Sequence, residues 1–339
     1  MAKQAVSRDV TADAVTDEKP SAGSRLREVL LERREASIAI VAIALIAYFQ
    51  SSNSAFLSTG NMRTLSEFIY PSAMIAAGLV MLLICGEIDL SVGQTFAFAP
   101  IVMYLADQEL VLPIAIVIGL VGAALVGLAN GLVTVYLRVP SFIATLGMLF
   151  LLGGLNVTLT GGFPKSAPTD SFLTQLFGAE SWTGFGWCIV VIVAMHLLLT
   201  RTRWGLHTFA TGGNFIGARE AGVRVNRIKI GNFILCAVLG GFVGILEAFR
   251  IDSIDPLAGG PNNMFLAVAA AVIGGTALAG GIGTIIGAFL GAAVISILQN
   301  GFTLQGVSAY TFNIILGLAI LVAMTLNVYI GSLRRSGRR

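Results

Sequence analysis

From residue 37 to residue 330 the chain is a succession of apolar runs separated by short polar breaks, and few folds can accommodate that pattern. An α-helix needs about 20 apolar residues to cross a hydrocarbon core roughly 30 Å thick. On that ruler ten segments emerge, at 37–56, 68–85, 91–106, 110–136, 141–160, 184–200, 230–249, 263–279, 282–299 and 309–330. A β-barrel would alternate apolar and polar residues with a period of two, whereas the stretch from Ile114 to Val126 is apolar on every side. The predicted fold is all-α, a polytopic transmembrane helical bundle of about ten spans. Composition agrees: only 12% of the 339 residues are charged, against about 25% in a soluble domain, too few to coat a globule of this size in water.

The expected organisation is a polar, disordered tail over residues 1–36, one membrane domain over 37–330, and a basic tail over 331–339. Pro20 and Gly23 break the first segment, and no apolar core with a small-residue cleavage site follows closely on Met1, so the first apolar run should remain as an anchor. Lys and Arg accumulate in cytoplasmic loops. Ten spans with both termini in the cytoplasm place the first tail, Arg138, the 201–229 loop and the last tail on that side. The opposite loops then hold only Arg63, Lys165 and Arg250 beside Asp107, Glu109, Asp170, Glu180, Asp252 and Asp255. The net charge of +3 sits in these loops and gives no reason to expect a nucleic-acid partner.

Glycine is the next constraint. Small residues let helix backbones approach where lipid supplies no hydrophobic drive between helices, and Gly119, Gly122, Gly127, Gly283, Gly287 and Gly291 are spaced to mark packing faces. The stretches Ala73 to Ser91 and Ala237 to Asp255 are both apolar helices ending in an acidic, isoleucine-containing cluster. Each is followed by an Asn-Gly pair, Asn130-Gly131 and Asn300-Gly301. The halves 68–160 and 230–330 are thus expected to form an inverted repeat, an arrangement recurrent in transporters.

Ionisable groups at membrane depth are costly and mark pathways by default. Glu87 and Asp89, in GEIDLSVG at 86–93, interrupt an apolar run, and two readings stand side by side: a hydrated turn between spans, or a helix broken at depth with its carboxylates facing a cavity. Asp89 or Ser91 is placed to cap the helix that follows. Ser91, Asn130, Asn156 and Glu247 complete the candidate substrate pathway, although each amide can equally tie two helices together, as can Asn300 and Asn313. In the 201–229 loop, Gly212 and Gly213 supply a turn, Asn214 a helix cap, and Gly222 a stop, so Phe215 to Ala221 should form a short displayed helix. Cys85, Cys188 and Cys236 read as apolar filler, and His196 and His207 lack the companions of a zinc site.

At these residues the chain closely resembles the ribose-type carbohydrate permeases of bacterial ABC importers, the family that also serves arabinose, xylose, galactose, fructose and autoinducer-2 systems. The segments that carry the resemblance are GEIDLSVG at 86–93, NG at 130–131, VPSFIATLG at 139–147, ATGGNFIGAREAGV at 210–223 and AVIGGTALAGGIGTIIGAFLGA at 271–292. Glu87 stands where many members carry glycine, and the charged amino tail lies outside the shared core. The resemblance implies a non-enzymatic transport subunit of the bacterial inner membrane. A periplasmic or lipoprotein sugar-binding protein would deliver a monosaccharide, and a cytoplasmic ATPase using ATP and Mg would drive uptake. A second copy of the permease, or a related one, would complete the pathway. It also assigns ATPase coupling to Gly212, Gly213, Asn214, Ala218, Arg219, Glu220 and Gly222. No GxxxxGK[ST] loop occurs in the chain, so ATP would be bound by the partner and no cofactor by this chain. The rival readings are a proton-coupled sugar symporter carrying protons on Asp89, Glu87 or Glu247, and a permease for branched-chain amino acids or nucleosides.

Overall fold

The computed structural model describes residues 34–168, 172–179, 181–308 and 310–318, with residues 321 and 325. The tail through residue 33, the 331–339 tail and half of the last predicted segment lie outside the described residues. In chain order the helices are α1 (Arg34–Ser52), α2 (Thr59–Ile84), α3 (Val92–Asp107), α4 (Leu112–Tyr136), α5 (Ser141–Thr160), α6 (Ser181–Arg201), α7 (Arg203–Gly213), α8 (Phe215–Glu220), α9 (Val225–Ile251), α10 (Pro261–Ile273) and α11 (Ile285–Leu304). Residues 310–318 are helical as well, and a π-helical turn at Gln175–Ala179 precedes α6. Among the described residues a single antiparallel bridge joins Lys165 to Ile254.

Nine of the ten predicted segments fall on helices, as do the described residues of the tenth, but the helices differ in kind. α1, α2, α4, α5, α6, α9 and α11 are long and apolar enough to cross a membrane. α3 has 16 residues and α10 has 13, and both follow breaks in the chain. Two boundaries move for identifiable reasons. α2 starts nine residues before the apolar run because the Ser58 side chain accepts a hydrogen bond from the Asn61 N–H and caps it, which a hydropathy ruler does not detect. α10 stops at Ile273, and the apolar residues after it form a loop to Thr284.

α2 is the centre of the molecule, with 83% of its apolar window buried, against 33% for α4 and 17% for α5, which present Val117, Val121, Phe150 and Leu151 outward. Packing around it is reciprocal. α4 packs on α9 and α3 while α11 packs on α2 and α10; α3 packs on α9 while α10 packs on α2; and α2 packs on α9. Glycine permits the closest of these approaches. A Cβ on Gly127 would lie 2.5 Å from the Phe233 carbonyl oxygen, one on Gly291 would lie 2.1 Å from that of Ala270, and one on Gly244 would lie 1.8 Å from that of Phe96. Gly119 and Gly287 are equally confined, whereas Gly122 has ordinary contacts and Gly283 belongs to the loop before α11.

Candidate functional site

The break between α2 and α3 is buried from Asp89 onward and held by a network of hydrogen bonds. Gly86, in the left-handed region at φ 75°, closes α2, with its N–H on the Leu83 carbonyl and the Glu87 N–H on the Leu82 carbonyl. The chain then runs without helical bonds to Ser91, and its polar groups are satisfied from two other helices. The Ile88 N–H donates to Ser141 Oγ at 3.2 Å and the Leu90 N–H to Thr145 Oγ1 at 3.1 Å, both from the first turns of α5. Asp89 is entirely buried; its Oδ1 accepts from the Ser91 N–H at 2.8 Å and from Ser91 Oγ at 2.6 Å. Asn130 of α4 donates to Ser91 Oγ at 2.8 Å and reaches both Asp89 oxygens at 3.4 Å. Ser91 makes no side-chain cap on α3, so of the two expected caps it is Asp89 that bonds ahead of the helix.

The other acidic candidates are paired. Glu87 accepts from Lys229 in the first turns of α9. At the opposite end of the same helix pair, Glu247 accepts from the Tyr70 hydroxyl and from Arg250, and Arg250 also reaches Glu67 of α2 at 3.2 Å. α2 and α9 are thus clasped by ion pairs at both ends. Between the clasps they touch so closely that a Cβ on Gly78 would sit 2.9 Å from the Cys236 Cα. Asn156 donates to the Gln94 side chain at 3.0 Å, and Asn300 and Asn61 exchange two amide hydrogen bonds at 2.8 and 2.9 Å.

The 201–229 region is more ordered than a loop, since α7 fills its first half. α8 itself follows its signals closely. Asn214 Oδ1 accepts the Gly217 N–H at 2.9 Å at its start. At its end Gly222, at φ 83°, donates to the Arg219 carbonyl, and the Val223 N–H donates to that of Ala218. The helix exposes Phe215, Ile216, Arg219 and Glu220, and Ile216 is 69% exposed. Beside it Arg138, Arg219, Arg224 and Arg227 line a cavity of about 670 Å³.

Sequence reasoning did not anticipate where α8 is anchored. The Ile84 carbonyl, left over at the end of α2, accepts the Gly281 N–H at 2.8 Å from the loop between α10 and α11. Gly212, three residues before α8, presses on that same carbonyl so closely that a Cβ there would lie 1.5 Å from its oxygen. Gly280 lies against both Gly212 and Gly86. Both interior breaks and the stem of α8 therefore meet at one point, backbone to backbone. All five sequence segments quoted above contribute to this end of the molecule, through Asp89, Asn130, Ser141 and Thr145, Gly212, and Gly281. The glycines were visible in the sequence, but nothing local says which of them meet.

An apolar bundle whose interrupted helices converge on one displayed helix has the architecture of a membrane permease rather than of a soluble domain. Residues 61–324 match the family described as branched-chain amino acid transport system / permease component. A xylose/arabinose import permease of Sulfolobus acidocaldarius is 39% identical over 308 residues, covering 88% of this chain and 86% of the relative. A ribose import permease of Escherichia coli is 33% identical over 296 residues, covering 84% and 91%. An autoinducer 2 import system permease of Yersinia enterocolitica is 35% identical over 283 residues, covering 81% and 77%. The chain belongs to this permease family, a multi-pass membrane subunit of the ribose-type ABC import systems. No solved structure matches it.

Proposed function

We propose that the chain forms, with a second permease copy, the membrane pathway through which a monosaccharide enters the cytoplasm, driven by a separate ATPase that docks on α8. The observation that carries this reading is α8 itself. A capped six-residue helix exposing Phe215 and Ile216 gains nothing from that exposure in isolation, and its stem is seated on the carbonyl that ends α2 and on the loop that precedes α11. A push on α8 would act on both breaks together.

The sidedness follows from charge. Arg138, Arg219, Arg224 and Arg227 surround α8, and such clusters favour the cytoplasmic face. With α8 inside, α1 runs outward and ten crossings bring both termini to the cytoplasm. Support for an inverted repeat comes from the reciprocal packing, in which exchanging α2 with α9, α3 with α10 and α4 with α11 leaves the pattern of contacts among these six helices unchanged. Asp89, Ser91 and Asn130 then hold the first break in shape, as Glu87 with Lys229 and Glu247 with Tyr70 hold the helix pair. A pentose or another small sugar is the proposed cargo, in keeping with the xylose/arabinose and ribose relatives. A sugar-binding protein would deliver it, and ATP with magnesium would be used by the ATPase.

Reconstitution tests the reading. Uptake of labelled sugar into vesicles should require the binding protein, the ATPase and internal ATP, and should survive a protonophore. Uptake that persists without the ATPase and collapses with the protonophore would reject it in favour of a proton symporter. Glu220 and Gly222 variants should hydrolyse ATP without matching uptake; normal uptake in both would remove α8 from the coupling route.

A further inference from the structure

The polar residues named above as a candidate pathway are bonded to partners within the protein, whereas three amide side chains at the other end of the molecule are not. Asn262 and Leu266 on α10, Gln299 and Thr303 on α11, and Phe312 and Asn313 in the helical residues 310–318 line one cavity of about 260 Å³. Asn262 and Leu266 are four residues apart, as are Gln299 and Thr303, so each pair shares a helix face. The cavity is thus built by three elements rather than by one loop. Among the described residues the amide side chains of Asn262, Gln299 and Asn313 make no hydrogen bond to the protein. The neighbouring amides behave differently, since Asn300, adjacent to Gln299, is committed to Asn61.

We infer that this cavity is a carbohydrate subsite at the outer mouth of the pathway, an inference that rests on the sugar-permease reading. Its end of the molecule is fixed by the Asn300 to Asn61 bond, which sets it beside the start of α2, whereas α8 and the Glu87 to Lys229 pair lie at the other end of α2 and the start of α9. If α8 faces the cytoplasm, the cavity opens on the side from which a binding protein delivers cargo. Its chemistry suits a polyol. Each amide offers both a carbonyl acceptor and an NH₂ donor, which matches hydroxyl groups that donate and accept. The cavity has no charge in its lining to select an ion, and Phe312 with Leu266 offers an apolar surface to the C–H face of a sugar ring. At roughly 30 Å³ per water, its volume of about 260 Å³ holds about nine waters, enough for one sugar ring. Asn262, Thr303 and Asn313 are exposed and Gln299 is half-buried, so the site is open to a ligand arriving from that side.

The test uses the full transporter in vesicles, with the binding protein loaded with labelled pentose. Replacing Gln299 or Asn313 by alanine should raise the half-saturating concentration for uptake about tenfold, the loss expected for one hydrogen bond of roughly 1.4 kcal/mol, with a smaller change in maximal rate. Gln299→Glu, which keeps an acceptor of the same shape, should recover part of the loss. A cysteine at position 303 should react with an impermeant thiol reagent from outside, and more slowly during sugar delivery. Alanine variants that assemble and import with unchanged half-saturation would overturn the inference. So would a Thr303→Cys variant that forms a disulfide-linked permease dimer and is indifferent to sugar, since the cavity would then be a subunit contact. A wild-type transporter that imports no sugar at all, under conditions where another substrate is taken up, would instead overturn the proposed function.

Discussion

Replacing Gly212 by alanine should uncouple the transporter. A Cβ at that position would lie 1.5 Å from the Ile84 carbonyl oxygen and 2.9 Å from the Gly281 nitrogen, while ordinary contact begins at 3.4 Å. The seam must therefore open by about 2 Å (3.4 minus 1.5), and both neighbours are backbone, so no side chain can rotate aside. Overpacking of this kind costs about 1–3 kcal/mol. Loss of the 2.8 Å bond from Gly281 to Ile84 adds roughly 0.5–1.5 kcal/mol. The combined loss of about 1.5–4.5 kcal/mol is enough to free α8 from the two breaks without unfolding a bundle packed elsewhere. The assay compares ATP hydrolysis stimulated by the loaded binding protein with sugar uptake in the same vesicles. The ratio of uptake to hydrolysis should fall at least tenfold in Gly212→Ala. Gly186→Ala, where nothing lies within 4 Å of the added carbon, should match the wild type in both rates. A Gly212→Ala transporter that assembles and keeps the wild-type ratio would refute the claim that motion passes through this seam.

Further substitutions probe the supports of the same junction. Asp89→Ala removes the acceptor of both Ser91 bonds and should cost about 2–4 kcal/mol of thermal stability in detergent. Asp89→Asn, which keeps one acceptor, should cost about half as much and still impair uptake; unchanged uptake in both would make that segment a simple turn. Glu87→Gln and Lys229→Gln should each destabilise by about 1–3 kcal/mol, and the double variant should recover part of that loss; additive losses in the double-mutant cycle would deny the pair. Asn214→Ala should lose about 1 kcal/mol of cap stability and show uncoupling that Asn214→Asp largely restores, read as the uptake-to-hydrolysis ratio.

The legible parts of the molecule are those with local causes. α8 was readable residue by residue, because a cap at Asn214 and a left-handed stop at Gly222 act on their own neighbours. The apolar runs located helices wherever the described residues reach, since exclusion from water acts within each run. What stayed hidden depends on distant partners. The polar start of α2 is helical because Ser58 caps it and Glu67 finds Arg250 on α9, and hydropathy argues against both residues. α7 lay in a stretch that reads as a loop. Glu87 and Glu247 drew attention as charges in apolar runs, yet Glu87 has its partner far along the chain at Lys229, and Glu247 adds the distant Tyr70 to Arg250 three residues on. Gln299 and Asn262 gave no signal at all, because a single amide in an apolar run becomes informative only when two others converge on it.

The central claim is that α8 faces the cytoplasm and is the surface on which the ATPase acts. The direct measurement places a cysteine at Ile216, the most exposed apolar residue of α8, and exposes oriented vesicles to an impermeant thiol reagent with and without the ATPase. The account predicts labelling in inside-out vesicles only, suppression of that labelling by the bound ATPase, and loss of uptake once the site is cross-linked to it. Labelling from the outer face, or labelling that the ATPase leaves unchanged, would contradict it.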